Sequence, residues 1–164
     1  MTEQAIHASA VLFGERAVIL RGPPGSGKSR LALALIARAT PSRPALLVGD
    51  DRIILRAAGG RLVIRGHPAI AGHIELRGAG IISVPWTARA VAGLIVDCAG
   101  APERLPEPGA LFDEIAGIRL PRCFVDPGAG DVVGRVETLA GIAGDHAAWE
   151  ALGEYRAHAA AVGE

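Results

Sequence analysis

The stretch Gly22-Pro23-Pro24-Gly25-Ser26-Gly27-Lys28-Ser29 constrains this chain more than any other. It satisfies G-x-x-x-x-G-K-[ST], the P-loop, and it stands in the context that motif requires. An apolar strand-like run, Ala17-Val18-Ile19-Leu20, precedes it, and a helix-like run from Arg30 to Ala37 follows. The glycines let the backbone curl so that successive N–H groups face one anion, and the helix N-terminus adds partial positive charge. Lys28 would reach the outer phosphates of a nucleoside triphosphate, and the Ser29 hydroxyl would ligate Mg²⁺. The rest of the chain is therefore read by what it adds to a bound triphosphate.

Half of the 164 residues are hydrophobic, which suits one domain with a sizeable core. Lys plus Arg is 17 and Asp plus Glu is 17, so nothing electrostatic points to nucleic acid or to an anionic membrane. An aromatic content of 4% disfavours base-stacking surfaces. Cys98 and Cys123 show no C-x-x-C spacing and read as buried, reduced thiols. No apolar run approaches the roughly 18 residues of a membrane span. Met1-Thr2-Glu3-Gln4 lacks the basic and apolar regions of a signal peptide, so a cytoplasmic location is expected.

Ala10 to Phe13 reads as a short strand, with Gly14-Glu15-Arg16 turning into the P-loop strand. Such a hairpin could bring His7 back beside the phosphate loop; the plainer reading is a surface residue near a terminus. The P-loop helix is expected from about Lys28 to Arg38, with Leu31 and Leu35 on its buried side. Ala45-Leu46-Leu47-Val48 reads as a strand in the buried middle of a parallel sheet. It ends in Gly49-Asp50-Asp51, and acids at a strand's C-terminal end lie where α/β sheets place their ligands. They suit a metal-site carboxylate, a general base, or an ordinary polar strand end. Val91 to Asp97 is a second apolar strand ending in an acid, and pattern alone does not decide between Asp50 and Asp97.

Arg52 to Arg56 and Arg61 to Arg65 flank Ala57-Ala58-Gly59-Gly60 and read as a β-hairpin. His67 and His73 have no third ligand at metal-site spacing and read as non-metal residues. Ile74 to Ser83 is read as extended, which puts Glu75 and Arg77 on one side. A carboxylate and a guanidinium before two glycines suit a Mg²⁺-phosphate edge; the plainer reading is an exposed ion pair of little energetic weight. A Pro-rich linker from Ala101 to Pro108 contains Glu103-Arg104. Extended pieces are expected near Gly117–Pro121 and Cys123–Val125, and helical spacing over Asp131–Leu139 and Asp145–Ala160.

In this order, these features resemble the catalytic domain of the bacterial HPr kinase/phosphorylase family, in the short form without an N-terminal domain. The likeness covers about residues 5 to 127. The P-loop by itself is shared with many kinases and GTPases. The decisive piece is Ile74-Glu75-Leu76-Arg77-Gly78-Ala79-Gly80-Ile81-Ile82-Ser83, which closely matches the family signature I/L-E-I-R-G-x-G-I-I-N.

The resemblance implies a single α/β domain over residues 1–164, P-loop NTPase-like and PEP carboxykinase-like, with a mixed β-sheet and flanking helices. Its P-loop core would span about 5–127 and its C-terminal helices about 130–160. It implies ATP bound by Gly22, Pro23, Pro24, Gly25, Ser26, Gly27, Lys28 and Ser29, and Mg²⁺ held by Ser29 and Glu75. Asp50 would accept the proton of a substrate serine, beside its acidic neighbour Asp51, which selects Asp50 over Asp97. His7, Lys28, Arg77 and Arg104 complete the implied catalytic set, with His7 expected to orient Asp50 or support its charge.

The implied reaction is phosphoryl transfer from ATP to a serine of the phosphocarrier protein HPr, regulating a phosphotransferase-system phosphorelay. Self-association is implied too, longer members being hexamers, along with two-component signalling proteins as further partners. In the family's reverse reaction, phosphate attacks phosphoserine and releases pyrophosphate. Two departures stand out: His7-Ala8 replaces the family's His-Gly, and Val125-Asp126-Pro127-Gly128-Ala129-Gly130 lacks the arginine of the P-V-x-P-G-R segment tied to that reverse reaction. Two other readings are a P-loop small-molecule kinase or NTPase using Asp97, and a non-catalytic nucleotide-sensing module.

Overall fold

The structure is a computed structural model and describes residues 2–104 and 106–152. In chain order its elements are β1 (Gln4–Ile6), β2 (Ala8–Phe13), β3 (Arg16–Arg21), α1 (Lys28–Ile36), β4 (Ala45–Gly49), β5 (Ile53–Ala58), β6 (Arg61–Gly66), β7 (His73–Leu76), β8 (Gly80–Ser83), β9 (Arg89–Cys98), β10 (Phe112–Ile115), β11 (Ile118–Val125) and α2 (Val132–Ala143). Residues 146–152 are helical as well. The part of the expected C-terminal helix beyond residue 152 lies outside the described residues.

A nine-stranded mixed sheet runs β1-β5-β6-β9-β3-β2-β4, with β11 joining β9 and β10 joining β11. This is a mixed α/β architecture, its sheet curled and its helices few. The long strand β9 makes the curl possible. It pairs in parallel with β3 over Ala92–Asp97, antiparallel with β6 over Arg89–Val91, and in parallel with β11 over Ile95–Cys98. A register shift beside Ala17/Val18 leaves Gly93 as an extra residue of β9 and reverses which face its side chains take. Ala90 and Ala92 therefore enter one core cluster, while Leu94, Val96 and Cys98 enter the other.

The first cluster lies between the sheet and the helices. Leu31, Ala32 and Leu35, spaced at i, i+1 and i+4, turn the buried stripe of α1 onto Val11, Val18 and Leu20. Val132 and Val136 bring α2 onto the same core, and the Trp149 indole donates to the Leu111 carbonyl at 2.9 Å. The second cluster lies on the opposite face, where Ala8, Ala10, Ala17 and Ile19 meet Ile53, Leu55, Leu62 and Ile64 of the β5–β6 hairpin. That hairpin turns through Gly59 and Gly60, as its sequence predicts.

Three expectations about elements change. The apolar run at β4 is not in the middle of the sheet but at the end of the strand order. It stays apolar because its outer edge is covered: Leu47 donates to the Pro85 carbonyl and accepts from the Thr87 N–H, both at 2.9 Å. Ile74 to Ser83 is not one extended piece but the two-stranded hairpin β7–β8, with Arg77 in its turn. The two extended pieces after residue 117 are a single strand, β11, paired with an unforeseen partner, β10.

Candidate active site

Between β3 and α1 the chain makes the phosphate-type loop. Gly27 at its end has φ +99°, a left-handed conformation that a side chain would strain, and a Cβ there would lie 2.9 Å from Pro127. The segment leading to α2 is thus packed directly on the loop. Lys28 is 6% exposed, and its ammonium donates to the carbonyls of Gly22 (2.8 Å) and Pro23 (3.0 Å). The helix starts on Gly27 with no side-chain cap, so its first N–H groups remain available to an anion. Ser26 adds a buried hydroxyl with no hydrogen-bond partner, set within the loop. An orphaned donor, a buried ammonium and an uncapped helix start together fit phosphate oxygens.

Asp50 follows β4 and is 4% exposed. Its Oδ1 accepts from Ser9 Oγ at 2.6 Å and from Ser29 Oγ at 2.9 Å, and Ser29 also reaches Oδ2 at 3.1 Å. A buried carboxylate is held here by hydroxyls, one of them in the first turn of the P-loop helix. Asp51 has φ +62°, so the chain turns sharply and the second acid points out, 74% exposed. His7 Nδ1 lies 3.2 Å from Asp51 Oδ1. The expectation that His7 orients Asp50 is therefore corrected: its partner is Asp51.

One cavity of about 580 Å³ is lined by His7, Gly25, Lys28, Ser29, Asp50, Asp51, Glu75 and Arg77. Buried Ile74 anchors β7 in the helix-side core, which leaves Glu75 facing solvent at the rim. Arg77 reaches the loop from the hairpin turn, its Nη1 standing 3.6 Å from where a Cβ of Gly25 would be. The hairpin thus delivers carboxylate and guanidinium to the cleft by a route the extended reading did not contain. Arg30, exposed in the first turn of α1, also lines the cavity. Sequence reasoning missed Arg30, and it missed Ser9, whose signal was a lone hydroxyl inside the apolar run Ala8–Phe13.

Arg104 is not brought there. It lines a separate cavity of about 490 Å³ with Pro102, Leu111, Phe124, Arg135 and Trp149. Asp97 is also engaged elsewhere. Arg21 donates to both its oxygens (2.7 and 2.9 Å) and Arg122 donates to Oδ2 at 2.6 Å, while Arg21 also pairs with Asp113 at 2.7 Å. Burial works against the charge of Asp113, but the Arg21 hydrogen bond, the Glu114 N–H and nearby Arg122 together hold its carboxyl below the usual range. Cys98, next to Asp97, is pushed up to about 12 by burial, against the pull of Lys28.

Among the described residues no three His, Cys, Asp or Glu side chains converge on a cation site. The hard oxygens of Ser29, Asp50 and Glu75 around a phosphate loop instead suit Mg²⁺, which takes one or two carboxylates and completes its shell with phosphate and water.

Residues 1–89 match the family described as HPr Serine kinase C-terminal domain. The HPr kinase/phosphorylase of Mycoplasma mycoides is 37% identical over 78 residues, 48% of this chain and 23% of that protein. The HPr kinase/phosphorylase of Chlorobium limicola is 39% identical over 83 residues, 49% of this chain and 24% of that protein. The matched part of the chain thus spans about a quarter of the length of these curated relatives. The solved structure of the Hpr(Ser) kinase/phosphatase from Coxiella burnetii superposes with a TM-score of 0.70 at 28% identity, covering 83% of this chain and 93% of that one. Among the described residues no helix is long and apolar enough to cross a membrane.

Proposed function

This chain belongs to the HPr serine kinase C-terminal domain family, and from that membership we propose that it is an ATP-dependent kinase of a serine on the phosphocarrier protein HPr. The observation that carries the reading is the junction of Ser29 and Asp50, a buried carboxylate hydrogen-bonded to the first turn of the P-loop helix. Positioning and charge neutralisation dominate phosphoryl transfer, because a serine hydroxyl is a poor nucleophile.

Each residue has a part. The P-loop N–H groups, Ser26 and Lys28 would hold the triphosphate, and Ser29 and Glu75 would hold Mg²⁺, which would supply charge neutralisation on the phosphates. Asp50 takes the proton of the attacking serine, and Arg77 offsets charge on the transferred group. His7 supports the cleft through Asp51. Arg104 would act only on a substrate protein spanning both cavities. The rival reading with Asp97 as the metal acid is disfavoured, since Arg21 and Arg122 already engage both its oxygens. The reading places the protein in the cytoplasm, self-associated as longer members of the family are, and upstream of a phosphotransferase-system relay.

Mass spectrometry of HPr after incubation with the protein and Mg-ATP tests this directly. A gain of one phosphate on serine is expected, and unmodified HPr in the presence of bound ATP would overturn it. A second sample, phosphoserine-HPr with inorganic phosphate, reports on the reverse reaction, where the missing arginine between Val125 and Gly130 predicts weak activity.

A further inference from the structure

Strand β2 keeps a regular register with β4 as far as Val11–Leu47, but the next pair is Ala10–Gly49. One step along β2 spans two along β4, so Val48 is the extra residue of a β-bulge. Bulges re-aim the side chains that follow them. Without this one, Asp50 would fall opposite Ala8, and like Val48 it would face the core of the β5–β6 hairpin. With it, Asp50 falls opposite Ser9, on the face that carries Val11 and α1. The side-chain contact agrees: Ser9 Oγ lies 2.6 Å from Asp50 Oδ1, and Ser9 is 0% exposed.

The bulge has little room to relax. A Cβ on Gly49 would stand 2.9 Å from Gly66 Cα and 3.0 Å from Ile53 Cγ2. Strand β2 pairs with β3 through Ser9 itself, opposite Leu20, and with β4 from the next residue, Ala10, so the Ser9 backbone is held between them. Ser29, by contrast, is the donor expected to turn toward a metal ion when nucleotide binds.

We propose that Ser9 is a positioning residue for Asp50: its hydroxyl, brought into register by the bulge at Val48, keeps the carboxylate aimed into the cleft when Ser29 engages Mg²⁺. This rests on the kinase reading given above and adds to it a residue that never meets substrate. Oδ1 is pinned by Ser9, which leaves Oδ2 as the oxygen that takes the substrate proton.

Steady-state phosphorylation of HPr by Ser9→Ala, Ser9→Cys and Ser9→Thr tests it. Wild-type turnover reports on the proposed function, and the ratio of variant to wild type reports on Ser9 alone. Ser9→Ala should lower kcat about 10- to 100-fold, the scale of a slightly misplaced reacting group, with KM for ATP unchanged. Ser9→Cys fills the same space with a weak donor and should fall with it. Ser9→Thr keeps the hydroxyl and should stay near wild type; if the added methyl prevents folding, the cysteine variant decides. Full turnover in Ser9→Ala or Ser9→Cys overturns the proposal, as does a KM for ATP that rises in step with the loss of kcat. In an Asp50→Asn background, Ser9→Ala should have no further effect, whereas an additive loss would overturn the link to Asp50.

Discussion

The Ser29 hydroxyl, in the first turn of α1, donates to both carboxylate oxygens of Asp50, at 2.9 and 3.1 Å. Two elements 21 residues apart thus meet at one buried acid. Asp50 directly follows the end strand of the sheet, and Ser29 lies on the helix that shares a core with that strand. A phosphate loop and a candidate base are locked in one geometry by a single hydrogen-bonded junction, and a metal ion entering there would compete for the same hydroxyl.

Asp50→Asn should therefore separate chemistry from binding. The amide keeps the volume of a 4%-exposed side chain, so the fold should survive. Transfer to HPr should fall by about 10²–10⁴, the usual worth of a general base. ATP affinity, measured by calorimetry, should stay near wild type because Lys28, the Ser26 hydroxyl and the loop N–H groups do not contact Asp50. Unchanged phosphorylation would remove Asp50 from its role.

Lys28→Ala should do the opposite. Its ammonium is buried beside the Gly22 and Pro23 carbonyls, and removing it takes the one lysine from the phosphate cradle. ATP affinity should weaken about tenfold or more, a loss of at least about 1.4 kcal/mol. A normal dissociation constant would contradict the phosphate-loop assignment.

How much of this was legible in the sequence follows from how local each signal is. The strand, loop and helix around Gly22–Ser29 and the hairpin across Gly59-Gly60 are set by neighbours in sequence, and both could be read. The place of β4 could not: an edge strand covered by residues 85–87 is as apolar as a central one. The bulge at Val48 leaves no mark in a run of four apolar residues, yet it decides which way Asp50 points. Arg77 was assigned to the cleft through a straight strand, whereas a turn at Gly78 carries it there. His7 needed the left-handed backbone of Asp51 to find its partner, and no pattern announces that.

The Arg21–Asp113 pair predicts a pH dependence. The folded pKa of Asp113 lies below its unfolded value, so the pair stabilises the fold fully above the unfolded pKa, near 3.9. That stabilisation fades as pH falls through the lower folded pKa. Asp113→Asn should thus be less stable than wild type at pH 6, and the gap should narrow as pH falls below the unfolded value. Denaturant titrations across this range measure it, and a gap that persists at low pH would mean that charge is not its cause.

Asp97→Ala should damage the fold rather than the chemistry. Arg21 ends the strand that enters the phosphate loop, and Arg122 lies on the neighbouring strand β11; both guanidiniums converge on Asp97 while remaining only 24% and 27% exposed. Removing the acid takes the carboxylate partner from the partly buried Arg122 and leaves Arg21 with Asp113 alone. Breaking a fully buried pair costs roughly 3–5 kcal/mol, and the residual exposure here brings the expectation to about 2–3 kcal/mol. For a chain of this size that lowers the melting temperature by about 4–12 °C. Replacing all three, as Arg21→Met, Asp97→Leu and Arg122→Met, should recover part of the loss, because only the partly exposed Asp113 then lacks its guanidinium partner. Thermal unfolding followed by circular dichroism reads both variants, with HPr phosphorylation assayed well below the transition. If Asp97 instead held the metal, Asp97→Ala would abolish transfer even where it is fully folded, and the triple variant would not restore it.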